Sequence, residues 1–345
     1  MVMKRIRIGQ IGTGHFHAEA TMDTVCKYPD VFEVVGIAEL HRENLEKNTD
    51  KKNYRGLKWM SPEELLRVEG LDAVLVETNE WDLLPVGQQC IDAGVHIHLD
   101  KPAGEDIGAY AKMLSDAKRK NLTVQLGYMY RYNPAMRYCK RAVETGMLGD
   151  IFELDAVMST EHTKEVREYL ARFKGGTMYI FGCHLIDLVI WMLGKPMDII
   201  AYQGSSGVDG VDFADNGLAV FVYPRGASTV RTTSVEVKGY ERRQLVLCGS
   251  KGTLEVRPLE APTVMTQAMA DHTKGHMVYM HDNNVRRTKI DLPKMAGRYD
   301  EQMLDFAAMI RGKKNPFTYE HELLVAQATM KACGFDVNLE EKYIL

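Results

Sequence analysis

Apolar and polar positions follow two rhythms along this chain. In the first part, short apolar runs of strand length are separated by stretches with helical spacing. Arg5–Ile11, Phe32–Ala38, Ala73–Glu77, His96–Leu99 and Leu122–Leu126 are the expected strands. Helices are expected up to Lys27, from Ser61-Pro62-Glu63-Glu64, up to Gly94 and over Ile107–Lys120. Ser61 has proline at the next position and glutamate three residues on, the pattern of a capped helix start. Strands joined by helices of this length pair in parallel with both faces covered. The expected architecture is an α/β doubly wound domain of the Rossmann type over residues 1–127.

After Gly127 the rhythm changes. Asn133-Pro134 opens a helix to Glu144, and from Ile151 the chain is strand-rich. Leu218–Tyr223 and Ser228–Val235 flank Pro224-Arg225-Gly226, and Gln244–Cys248 and Thr253–Val256 flank Gly249-Ser250-Lys251-Gly252; both read as hairpins. Asp271–Arg287 reads as a loop or irregular hairpin. Helices return at Asp300–Arg311 and His321–Cys333, each stopped by glycine. Residues 128–345 are thus expected to form an α+β domain with an open, largely antiparallel sheet.

Composition narrows the function classes. Of 345 residues, 43 are Lys or Arg and 47 Asp or Glu, a net charge of −4 with no like-charge block, so nucleic acid is not an expected partner. The N-terminal segment alternates apolar and charged residues instead of carrying a signal-peptide core. Leu188–Leu193 is far shorter than the ~20 apolar residues of a membrane span, so no membrane association is expected. The six cysteines are scattered without metal-ligand spacing, as expected of thiols in a reducing cytoplasm, and no metal site is expected.

Gly12-Thr13-Gly14-His15-Phe16-His17 follows the first strand directly and opens a helix, the context of a dinucleotide turn. Gly12 permits the tight turn, Gly14 lets the main chain approach a pyrophosphate, and the helix N-terminus offers free N–H groups. His17 stands where the fingerprint has its third glycine. Glu39, at the end of the second strand, suits the adenosine ribose hydroxyls and repels a 2′-phosphate, which favours NAD over NADP. His41 and Arg42 lie just beyond.

Asp100-Lys101-Pro102 leaves the carboxyl end of a strand, where open α/β sheets bind ligands. The lysine there can stabilise negative charge developing on a substrate oxygen. In Gly175-Gly176-Thr177-Met178-Tyr179-Ile180-Phe181-Gly182-Cys183-His184, the histidine lies in the first turns of a helix with Asp187 on the same face. An imidazole suits proton exchange with an alcohol.

These segments, with Asp72-Ala73-Val74 leading to Thr78, Gly127 to Pro134, Gly146 to Ile151, His184-x-x-Asp187-x-x-x-Trp191 and Gly249 to Leu254, resemble the Gfo/Idh/MocA family of NAD(P)-dependent oxidoreductases over nearly the whole chain. The resemblance implies catalytic roles for Lys101 and His184. It implies cofactor contacts from Gly12, Gly14, His15, Phe16, Glu39, Arg42, Thr78, Asn79, Asp100, Lys101 and Pro102. It places Lys101, Tyr130, Arg131, Tyr179, His184 and Asp187 at the substrate. It implies hydride transfer between NAD and a secondary alcohol or ketone of a sugar or polyol, and a homodimer or homotetramer formed through the C-terminal sheet.

Three departures stand out. Asp100 replaces the family's glutamate before the lysine. Ile180 occupies the place of an aspartate four residues before the histidine, for which Tyr179, Glu161 and His162 are substitutes to test. Thr78-Asn79-Glu80-Trp81-Asp82-Leu83 replaces Thr-Pro-Asn-x-x-His. Two further functions remain open: an NAD-retaining hydrolase or lyase of the same fold, and an NAD-binding sensor without turnover. A pyrrole or amino-acid dehydrogenase is disfavoured by the His184-x-x-Asp187 helix.

Overall fold

The computed structural model describes residues 4–270 and 285–345. In chain order the elements are β1 (Ile6–Ile11), α1 (Ala18–Lys27), β2 (Phe32–Ala38), α2 (Arg42–Asn48), β3 (Trp59–Met60), α3 (Pro62–Leu66), β4 (Ala73–Val76), α4 (Leu83–Asp92), β5 (His96–Leu99), α5 (Ile107–Arg119) and β6 (Val124–Leu126). Then come α6 (Pro134–Glu144), β7 (Ile151–Ser159), α7 (Lys164–Leu170), α8 (Cys183–Leu193), β8 (Asp198–Gly204), β9 (Asn216–Tyr223), β10 (Gly226–Thr233), β11 (Gln244–Gly249), β12 (Gly252–Val256), β13 (Val264–Ala270), β14 (Val285–Asp291), α9 (Asp300–Ile310) and α10 (Tyr319–Ala332).

The chain divides into two compact units. The first comprises residues 1–129, 296–326 and 340–345, and the second 130–295 and 327–339. The sequence reading placed all of 128–345 in one domain. The structure instead puts α9 into the first unit's core, where Met303, Phe306 and Ala307 pack with Ile6, Ile8 and Met22. Burying the Met303 and Phe306 side chains there outweighs sequence continuity with the second unit.

In the first unit six strands lie in the order β3-β2-β1-β4-β5-β6, all parallel. This is the doubly wound order, whose direction reverses between β1 and β4 and opens a crevice at their carboxyl ends. β4 reads Ala-Val-Leu-Val and is buried throughout, as a central parallel strand must be. Local chemistry sets the helix starts. Ser61 and Glu64 form the reciprocal capping box, and Asp106 caps α5 by accepting from Ala109 N at 2.9 Å.

The second unit holds an eight-stranded sheet in the order β14-β13-β12-β11-β7-β10-β9-β8. Every pairing is antiparallel except β7 with β10. The hairpin β9–β10 pairs Tyr223 with Gly226, as the Pro-Arg-Gly turn predicts. Of the expected loop Asp271–Arg287, residues 271–284 lie outside the described residues, and 285–287 belong to β14. The six cysteines are free thiols. Among the described residues no helix is long and apolar enough to cross a membrane.

Candidate functional site

The turn after β1 is built from glycines that have no substitute. Gly12 adopts φ +93°, and a Cβ there would stand 2.5 Å from the Thr78 main chain. A Cβ on Gly14 would meet Asn79 Oδ1 at 2.1 Å. The turn is therefore pressed against the Thr78-Asn79 segment after β4. Glu39 holds it from the other side. One carboxylate oxygen accepts from Thr13 N at 2.7 Å and Thr13 Oγ1 at 2.6 Å, and the other from Leu40 N and His41 N at 2.8 and 3.0 Å. The sequence suggested a ribose acceptor; the structure gives this carboxylate four internal donors, all of them on the turn or just after β2. Arg42 pairs with Glu46 on the surface, and Phe16 is half exposed.

A glycine turn running into α1, with a carboxylate at the end of the neighbouring strand, fits a dinucleotide. The first-turn N–H groups and the positive end of the helix suit a pyrophosphate.

Lys101 leaves the carboxyl end of β5 and is almost wholly buried. Its N–H donates to Asp100 Oδ1 at 2.7 Å, and its carbonyl accepts from His15 Nε2 at 3.0 Å. The following peptide bond to Pro102 is cis. Asp100 Oδ2 in turn lies 2.7 Å from His15 Nδ1 and 2.9 Å from His17 Nδ1. Gly127 backs this carboxylate so closely that a Cβ would be 2.2 Å from Oδ1. Glu77, fully buried, has an oxygen 3.7 Å from His15 Nδ1.

Burial opposes charge on both carboxyls of this cluster. At Asp100 the two histidines outweigh burial and hold the carboxyl well below its ordinary range. At Glu77 burial, reinforced by the Asp100 charge, pushes the carboxyl well above it. Burial also lowers His17 to about 3, so it is neutral and donates through Nδ1. Glu77 and His17 were not among the sequence candidates.

In the second unit His184 lies in the first turn of α8, which continues from a π-helical turn over Met178–Gly182. Ile180 in that turn is fully buried. Of its three suggested substitutes, Tyr179 stacks on Phe173, His162 stacks on Phe181, and Glu161 is exposed in a bridge with Val235. Tyr130 sets its ring beside His184, edge to face at 5.2 Å between ring centroids. Its hydroxyl donates to Glu260, which also accepts from Arg243 at 2.6 Å. No spacing in the sequence pointed to Glu260 or Arg243. Arg131 and Asp187, expected at the substrate, form a buried two-pronged ion pair with donor distances of 2.6 to 3.1 Å. Their geometry ties α8 to the segment before α6.

Two family models match the chain. The NAD-binding Rossmann-fold oxidoreductase family matches residues 6–128, and the GFO/IDH/MocA C-terminal domain matches residues 136–255. A myo-inositol 2-dehydrogenase of Thermotoga maritima is 27% identical over 284 residues, covering 79% of this chain and 80% of that protein. A UDP-N-acetylglucosamine 3-dehydrogenase of Acidithiobacillus ferrooxidans is 26% identical over 221 residues, covering 61% and 62%. Among solved structures, a levoglucosan dehydrogenase in complex with NADH and levoglucosan aligns with a TM-score of 0.77 at 16% identity, over 96% of this chain and 98% of that one. At that identity the likeness concerns the fold.

Proposed function

The chain belongs to the Gfo/Idh/MocA family of NAD-binding oxidoreductases, and from that premise we propose that it transfers hydride between NAD(H) and a secondary alcohol or ketone of a sugar or polyol. The observation that carries the reading is the placement of two features on one sheet edge. The glycine turn into α1 follows β1, and Lys101 follows β5, both at the carboxyl ends of the doubly wound sheet. The myo-inositol and UDP-N-acetylglucosamine named for two relatives, and the levoglucosan of a structure with the same fold, support a sugar or polyol as the substrate class.

Gly12 and Gly14 give the pyrophosphate access to the main chain, and Glu39 selects NAD by its negative charge. When bound, the nicotinamide ring supplies the two-electron acceptor or donor. Lys101 donates to the oxygen on the reacting carbon and lowers the cost of its developing charge. His184 takes the hydroxyl proton, held in place by the Tyr130 ring. Ile200 and Tyr202, exposed on one face of β8, support assembly of copies through the C-terminal sheet.

The test is a panel of the three compounds above with NAD, run on wild type and Lys101→Met. Wild type reduces NAD with at least one of them. Lys101→Met still binds NADH while turnover falls on the order of a hundredfold or more. Normal turnover in the variant refutes the role of Lys101. Substrate conversion without accumulating NADH favours the cofactor-retaining alternative.

A further inference from the structure

Position 17 interrupts the glycine fingerprint, yet the side chain there is not idle. His17 Nδ1 reaches Asp100 at 2.9 Å, across 83 residues of sequence. His15, two residues earlier, reaches the same carboxylate at 2.7 Å and the Lys101 carbonyl at 3.0 Å. Asp100 closes the loop by accepting from Lys101 N at 2.7 Å. Both polar groups of the Lys101 main chain are thus held by partners tied to one helix turn. That turn is the one to which the functional reading above assigns the dinucleotide phosphates.

We propose that His15, His17 and Asp100 form a clamp that positions Lys101 and couples its main chain to occupation of the nucleotide site. The proposal rests on the functional reading above and deepens it. His15 and His17 are positioning residues, acting through the Lys101 main chain. Asp100 is short enough to leave room against Gly127, and the imidazoles supply the reach.

A bound metal ion is the competing account of two histidines and an aspartate whose ligand atoms lie within 4.8 Å of one another. The distances favour hydrogen bonds. Ligand atoms arranged tetrahedrally around zinc at ~2.0–2.1 Å sit roughly 3.3 Å apart, whereas these contacts are 2.7 and 2.9 Å. His15 Nε2 already faces the Lys101 carbonyl at 3.0 Å, a partner for a ring N–H rather than for a metal.

The test reads hydrogen exchange at the Lys101 amide, residue by residue, with and without NADH, in wild type, His17→Ala and His17→Asn. In wild type the amide is protected and NADH slows it further. His17→Ala binds NADH within about twofold of wild type, but its Lys101 amide exchanges at least about tenfold faster and responds less to NADH. His17→Asn, whose amide nitrogen takes the place of Nδ1, restores both protection and response. Wild-type exchange in His17→Ala, or no rescue by His17→Asn, overturns the clamp. So does a stoichiometric transition-metal ion found by elemental analysis of the purified protein. A wild-type protein that binds no NADH overturns the coupling and the functional reading together, while the exchange rates of the free proteins still decide whether the clamp exists.

Discussion

His162 shows how burial sets charge at a single residue. Its ring stacks on Phe181 at 4.8 Å, and burial, helped by Arg243 and Arg167, lowers it to about 4. An unfolded histidine titrates near ~6.5. The folded value is the lower one, so the unfolded state takes up the proton first. The stability contribution is complete above the unfolded value and is lost as pH falls from there toward 4. Urea unfolding at about pH 7.5 and about pH 5 should show wild type losing about 1–2 kcal/mol more than His162→Gln. An equal loss in both proteins contradicts this assignment. The same scale shows what a sequence can disclose. Gly12, Gly14 and Lys101 could be singled out because each stands at a fixed place relative to a strand end. The Asp100–His17 and Tyr130–Glu260 pairs could not, because their partners are 83 and 130 residues apart and only folding joins them. Arg131 and Asp187 were visible as charged residues, but their mutual pairing was not.

Among the elements, β1, β2, β4 and β5 match their expected bounds to within a residue, since fully buried runs such as Ala73–Val76 have no competing interpretation at strand length. β3, two residues long, carries too little pattern to be seen, and the edge strand β8 has only a weak alternation. The π-helical turn before α8 leaves no periodic trace. β8 presents Ile200 and Tyr202 on one face, each more than half exposed, and pairs them with Val220 and Leu218 of β9. Apolar residues grouped on an open sheet face mark a contact surface. If copies assemble through this face as proposed, wild type sediments as an oligomer and the double variant Ile200→Lys, Tyr202→Lys as a monomer with an unchanged circular dichroism spectrum. An assembly of wild-type size in the double variant rules this face out.

At the scale of the molecule, the fold class was legible and the division of the chain was not. The change of rhythm near Gly127 announces a second unit, but nothing in the helical pattern of Asp300–Ile310 says that Phe306 and Met303 complete the core under β1 and β4. Those are long-range contacts that only the closed structure displays. The first unit, with its glycine turn, its helix start and Lys101 at the end of β5, is where the functional account stands or falls. A crystal structure of the protein with NAD bound tests it most directly. The account predicts the pyrophosphate on the first turn of α1, beyond Gly14, with the nicotinamide ring in contact with the Lys101 side chain. A dinucleotide lying elsewhere, or with its ring turned away from Lys101, contradicts it.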